Sequence, residues 1–175
     1  MGNPRDNRNR LRQLRDFGLP VNWTTVLVGW IGPGELHPLL TAKDVIDFAV
    51  EVLVSDEDSR PEIVQLAGAL PSEVEVVQST LYALASEDAA VRAFEERKWR
   101  LVLLQELLVD LTCDPLYGLI NFKEFWGQFS YPDDSPYDSR NEPDPTHFFE
   151  EDNYRKLIQS HKEWIEAERQ RLLLA

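Results

Sequence analysis

The sequence predicts an all-α protein, a compact bundle of about seven or eight helices, and three observations carry that prediction. Apolar residues recur at three- and four-residue spacing along most of the chain, no segment alternates apolar and polar residues over several positions, and no Asn-Gly or Asp-Gly pair marks a hairpin. With 175 residues, 43% hydrophobic and 28% charged, the composition is that of an ordinary globular chain long enough to bury a core of its own.

The elements follow in order. Leu11, Leu14 and Phe17 form a short stripe in an arginine-rich segment that stops at Gly18, a residue suited to the left-handed position after a helix. Asn22 caps the segment Trp23–Trp30; its β-branched residues (Thr24, Thr25, Val26, Val28, with Ile31 following) also suit a strand, and helix is the reading adopted. Gly32-Pro33-Gly34 then makes a turn. Thr41 with Asp44 three residues later resembles a capping box and opens Ala42–Val54, whose charges occupy one narrow stripe, so this helix should be largely buried. Ser59 as N-cap and Pro61 in the first turn start a helix to about Gly68, and Pro71-Ser72-Glu73 starts another to about Ala85.

Ser86-Glu87-Asp88 supplies a cap and two acids for a long helix, Ala89–Cys113. Its residues Trp99, Leu101, Val102, Leu103, Leu104, Leu107, Leu108 and Leu111 leave a thin polar edge, which predicts the central and most buried element. Asp114-Pro115 starts Leu116–Phe129, with Leu119, Phe122, Trp126 and Phe129 at helical spacing. Tyr154, Leu157, Ile158, His161, Trp164, Ile165 and Leu172 trace the apolar stripe of a last helix.

Charge divides the chain. Residues 1–20 hold five arginines and two aspartates, a net +3 within a total of −13, so residues 21–175 carry −16. The expected organisation is a basic N-terminal arm or short helix over 1–20, then a single acidic all-α domain over 21–175. Such a body repels nucleic-acid phosphate and anionic lipid, so a charged partner should be basic. No apolar run approaches the roughly 20 residues that span a bilayer, and the polar start lacks the apolar region of a secretory signal. One cysteine, Cys113, forms no disulfide within the chain, which fits the cytoplasm.

The chemistry-bearing residues are sparse. His37, His147 and His161 stand far apart; His161 lies on the apolar stripe and reads as a hydrogen-bonded core residue, the other two as surface residues. Cys113, at the end of an apolar helix, reads as an inert buried thiol. Gly29 to Gly34 lacks the Gly-Lys-Ser/Thr ending of a phosphate loop, and Asp56-Glu57-Asp58 has Pro61 where a calcium loop needs glycine. The expectation is therefore no catalytic, metal-binding or cofactor-binding residue and no enzyme; a hydrolase built from carboxylates, or a homo-oligomeric structural protein, is the alternative.

The remaining feature is a junction of aromatics and acids. Phe122, Phe125, Trp126, Phe129 and Tyr131 lead into a segment where Asp133, Asp134, Asp138, Glu142, Asp144, Glu150, Glu151 and Asp152 face one cation, Arg140. Pro132, Pro136, Pro143 and Pro145 break regular structure there, so it reads as an acidic loop. The aromatics also read as core and the acids as solvated surface. As an interaction face, an anchor from Trp126 or Tyr131 rimmed by those carboxylates suits a basic protein, the acids raising the on-rate and the aromatic supplying the hot spot. The chain should then be a monomer or weak homo-dimer.

Several short motifs resemble a known family. Leu19-Pro20-x-x-Trp23, Gly29-Trp30, the opening Thr41-Ala42-Lys43-Asp44, Arg97-Lys98-Trp99-Arg100, and Asp114-Pro115-Leu116 leading through Phe129-Ser130-Tyr131-Pro132 are similar to the bacterial family called domain of unknown function 2247. The resemblance spans about residues 19–132; Gln128 and Ser130 stand where the family pattern has acids. It implies a small cytosolic bacterial protein with no established reaction, of the kind suspected to act as immunity proteins beside toxins, and it identifies no catalytic residue. An acidic inhibitor covering a basic cognate toxin agrees with the charge balance.

Overall fold

The computed structural model describes residues 10–55, 58–137 and 151–175, with the side chain of Glu151 outside them. Among the described residues there are eight helices and no strands: α1 (Arg10–Asp16), α2 (Trp23–Ile31), α3 (Ala42–Val54), α4 (Pro61–Ala67), α5 (Val74–Leu84), α6 (Ala89–Val109), α7 (Pro115–Gly127) and α8 (Glu151–Leu174). The all-α expectation holds. The chain divides into two units inside α6, one ending at Trp99 and the other beginning at Arg100.

In the first unit α1 ends before Gly18, which takes φ 77°, and buries Leu11 and Leu14. Trp23–Ile31 is helix despite its β-branched residues. Asn22 closes a capping box with Thr25, and residues Trp23 to Gly29 are all buried, so packing outweighs a propensity difference of well under ~1 kcal/mol per residue. The Thr41/Asp44 capping box forms as expected. Helix α3 packs on α4 and α5, α4 on α5, and α2 on α5. The expected Ser59 cap does not form: Arg60 is the N-cap, without a side-chain bond, and the fixed φ of Pro61 alone starts α4.

Gly29 belongs to α2 and not to the following turn. A Cβ there would collide with the Trp99 ring, so the small residue permits the close approach of α6 to α2. Its carbonyl also accepts from Leu39 and Leu40, at 2.8 and 3.2 Å.

Helix α6 stops at Val109, four residues before the expected end, and is not the most buried element. Leu101, Val102 and Leu104 are buried, but Leu107 and Leu108 are only partly covered and Val109 is 63% exposed. Asp114 ends any continuation, because its side chain accepts from Leu116 N and Tyr117 N and caps α7. Cys113 therefore lies in the connecting turn and is exposed, a correction to its expected burial.

In the second unit α7 packs on α8. Their contact is close at Gly118, where a Cβ would overlap the Tyr154 phenol. The Tyr154 hydroxyl donates to the Thr112 carbonyl at 2.7 Å and ties α8 to the turn before α7. Phe122, Phe125, Trp126 and Phe129 fill this core with Tyr154, His161, Trp164 and Ile165.

Candidate functional site

The aromatic and acidic residues singled out in the sequence all belong to the second unit, and the structure separates them. Trp126 is fully buried: its indole N–H donates to Nε2 of His161 at 2.9 Å, and its ring meets Trp164 edge to face at 5.1 Å. It cannot serve as a surface anchor, because α7 turns Phe122, Phe125 and Trp126 together toward α8. Tyr131 is half-buried; its hydroxyl donates to the Lys123 carbonyl and its ring lies 6.2 Å from that of Tyr137.

Tyr131 reaches that place through an unusual backbone. Ser130 and Tyr131 both take left-handed conformations, φ 56° and 49°, while the amides of Ser130 and Tyr131 donate to the carbonyls of Gly127 and Trp126. Two consecutive non-glycine residues in this region carry a cost of ~1–2 kcal/mol each. The turn closes the C-terminal end of α7.

Of the predicted acids, Asp133 and Asp134 are exposed, and Asp134 is held on two arginines. Its carboxylate lies 3.9 Å from Arg100 and 3.6 Å from Arg171, which in turn face Glu168 at 3.9 and 3.3 Å. Glu168 is fully buried and Arg100 nearly so, the guanidinium standing 5.4 Å from the Trp164 ring centroid. Asp134 thus completes a four-charge network. Asp152 is exposed near Arg155. Asp138, Glu142, Asp144 and Glu150 lie outside the described residues, as does the side chain of Glu151.

A different exposed group was not foreseen. On α7, Leu116 is 44% exposed, Tyr117 61% and Ile120 41%, a cluster of apolar side chains within one and a half turns. At 100° per residue these three project opposite Phe122, Phe125 and Trp126, so a wheel drawn for both faces of α7 locates them from sequence.

Among the described residues, His161 is the one imidazole in this core. Because Nε2 accepts from Trp126, Nδ1 carries the proton and donates to the Leu157 carbonyl at 2.7 Å. Its ring stacks on Phe122 at 3.9 Å. Burial pushes its pKa down to about 4, against the opposing effect of that carbonyl, so the ring is neutral and both nitrogens are committed.

The first unit explains the tryptophan and basic motifs. Glu95 and Lys98, on one face of α6, are buried 2.8 Å apart. Lys98 also donates to the Pro20 carbonyl, and Glu95 accepts from Asn22 Nδ2 at 2.9 Å and Thr25 Oγ1 at 2.6 Å. Trp99 donates to the Thr25 carbonyl at 2.8 Å. Asn22 thus caps α2 and anchors it to α6. Leu19, Pro20 and Trp23 reappear in the wall of an open cleft of about 710 Å³ with Arg15, Phe48, Glu51 and Ser55. His37 is exposed, as expected, and His147 lies outside the described residues. Among the described residues no group of three or more histidines, cysteines or carboxylates is placed to hold a metal ion, and no helix is long and apolar enough to cross a membrane.

Residues 11–169 match the family described as an uncharacterized protein conserved in bacteria, DUF2247. No curated protein and no solved structure matches the chain.

Proposed function

For a chain that belongs to this bacterial family, we propose a non-enzymatic role: an acidic cytoplasmic module that binds a basic protein, in the manner of an immunity protein covering the active face of a cognate toxin. The observation that carries this reading is the surface of the second unit. Leu116, Tyr117 and Ile120 stand exposed on α7, and the chain beyond that helix presents the acids Asp133 and Asp134. An apolar patch supplies affinity through a few anchors, and carboxylates elsewhere on the surface supply long-range steering toward a basic partner. Tyr117 takes the anchor role expected of Trp126 or Tyr131, since it is the most exposed aromatic on α7. The net charge of −13 supports the same partner chemistry.

The test is binding to the product of the neighbouring reading frame, measured by surface plasmon resonance across a salt series. Tyr117→Ala should raise the off-rate, weakening the complex by about 1–3 kcal/mol, with little change in thermal stability. Absence of salt-sensitive binding to that product removes the immunity reading. The exposed α7 face also suits pairing of two copies; a dimer by size-exclusion with light scattering that Tyr117→Ala converts to monomer would favour that alternative.

A further inference from the structure

The cleft of the first unit combines an aromatic wall, a carboxylate and a cation already in place. Trp23 and Phe48 meet edge to face, with ring centroids 4.9 Å apart and 79° between planes, and both are almost fully buried, so the core fixes this wall. Glu51 and Asp58 line the same cleft. Asp58 is taken up by Arg60, 2.8 Å away, which leaves Glu51, among the described residues that line the cleft, as the carboxylate that addresses the opening. Arg15 now occupies it: its Nη1 lies 2.7 Å from Glu51 Oε2, and its guanidinium carbon stands 5.5 Å from the Phe48 ring centroid.

An aromatic face beside a carboxylate is how proteins hold an alkylguanidinium, through cation–π attraction and charge-assisted hydrogen bonding together. Arg15 is loosely held in that arrangement. Its side chain is 43% exposed and that of Glu51 50%, and an ion pair so open to water adds little net stability. The cleft keeps about 710 Å³ with Arg15 present, within the range of small-ligand sites.

We propose that this cleft is a binding site for an alkylguanidinium group and that Arg15 is its displaceable internal occupant. The incoming group takes over the Glu51 carboxylate and the Phe48 face while the Arg15 side chain swings into solvent. The arginine side chain of a peptide and a free small guanidine share this chemistry. The inference is independent of the acidic surface on the second unit and of any toxin.

The test titrates agmatine and a Gly-Gly-Arg-Gly-Gly peptide into the full-length protein and its variants by calorimetry. Arg15→Ala, which vacates the site, should bind agmatine severalfold tighter than the unaltered protein, and adding Glu51→Gln should abolish that gain. Both positions are exposed, and matching thermal melts will show that the fold is kept; Arg15→Gln serves as a second vacating variant. Tighter binding of the peptide assigns the site to a protein partner, and tighter binding of agmatine to a small molecule. The proposal is overturned if vacating the site gives no gain, if the gain survives Glu51→Gln, or if a citrulline peptide, neutral but of the same shape, binds as well as the arginine peptide.

Discussion

Lys98, in the Arg97-Lys98-Trp99-Arg100 motif of the family resemblance, is a structural fixture. Its ammonium is almost completely buried, between Glu95 and the Pro20 carbonyl. Breaking a buried pair leaves the other charge without compensation, so Lys98→Met should lower the unfolding free energy by about 3–5 kcal/mol in urea melts. Replacing both partners by apolar residues, Glu95→Leu with Lys98→Met, should recover part of that loss, limited by the donors of Asn22 and Thr25 that then lack Glu95. His161 yields a pH prediction. The unfolded imidazole titrates near its ordinary value of 6.5 and the folded one at about 4. Between those values the unfolded chain binds the proton and the folded chain does not, so stability must fall as pH falls from about 6.5 to about 4. The total is about 3 kcal/mol at 1.36 kcal/mol per pH unit. Urea melts of His161→Gln, which still offers Trp126 an acceptor, should show a shallower decline over that window. Equal declines would contradict a buried neutral histidine.

Among the elements, α7 and α8 depend on a place where a side chain is missing. Gly118 lets α7 lie against the Tyr154 phenol, whose hydroxyl is bonded to Thr112. Gly118→Ala should improve intrinsic helix propensity by ~1 kcal/mol yet destabilise overall, because the methyl group overpacks the ring by ~1–3 kcal/mol and endangers that hydrogen bond. Chemical denaturation gives the sign, and recovery in Gly118→Ala/Tyr154→Phe would locate the clash at the hydroxyl. This scale also shows what the sequence could convey. Helix starts were legible where a local side chain closes on a backbone amide, as at Asn22, Thr41 and Asp114. Ser59 does not start α4, because Pro61 fixes that start without a cap bond, and apolar periodicity overstates the length of α6, because apolar residues continue to Leu111 after the helix ends. At the candidate site, periodicity placed Trp126 on a helix but left open which neighbours cover it. Burial against His161 and Trp164 is a long-range consequence of α7 packing on α8. For the same reason the exposed face of Leu116, Tyr117 and Ile120 went unnoticed beside the more numerous aromatics that follow.

For the molecule as a whole, the proposed recognition rests on long-range charge, and the structure indicates which acids test it cleanly. A simultaneous neutralisation of Asp133, Asp134 and Asp138 would mix two effects, because Asp134 offsets Arg100 and Arg171 in a network that also includes the buried Glu168. Asp134→Asn removes a carboxylate from a largely buried guanidinium, so it should cost about 1 kcal/mol of stability whether or not a partner exists. Asp133→Asn with Asp138→Asn keeps the Asp134 carboxylate in place on Arg100 and Arg171. If the acidic surface steers a basic partner, the double variant should slow association severalfold at low ionic strength. The difference should vanish as salt shortens the Debye length toward ~3 Å at 1 M. Stopped-flow association rates over a salt series supply the comparison. If rates respond to Asp134→Asn but not to the double variant, the arginine network shapes the binding surface and Asp133 and Asp138 do not steer the partner; equal, salt-independent rates in all three proteins would leave the exposed α7 patch to account for binding without electrostatic attraction.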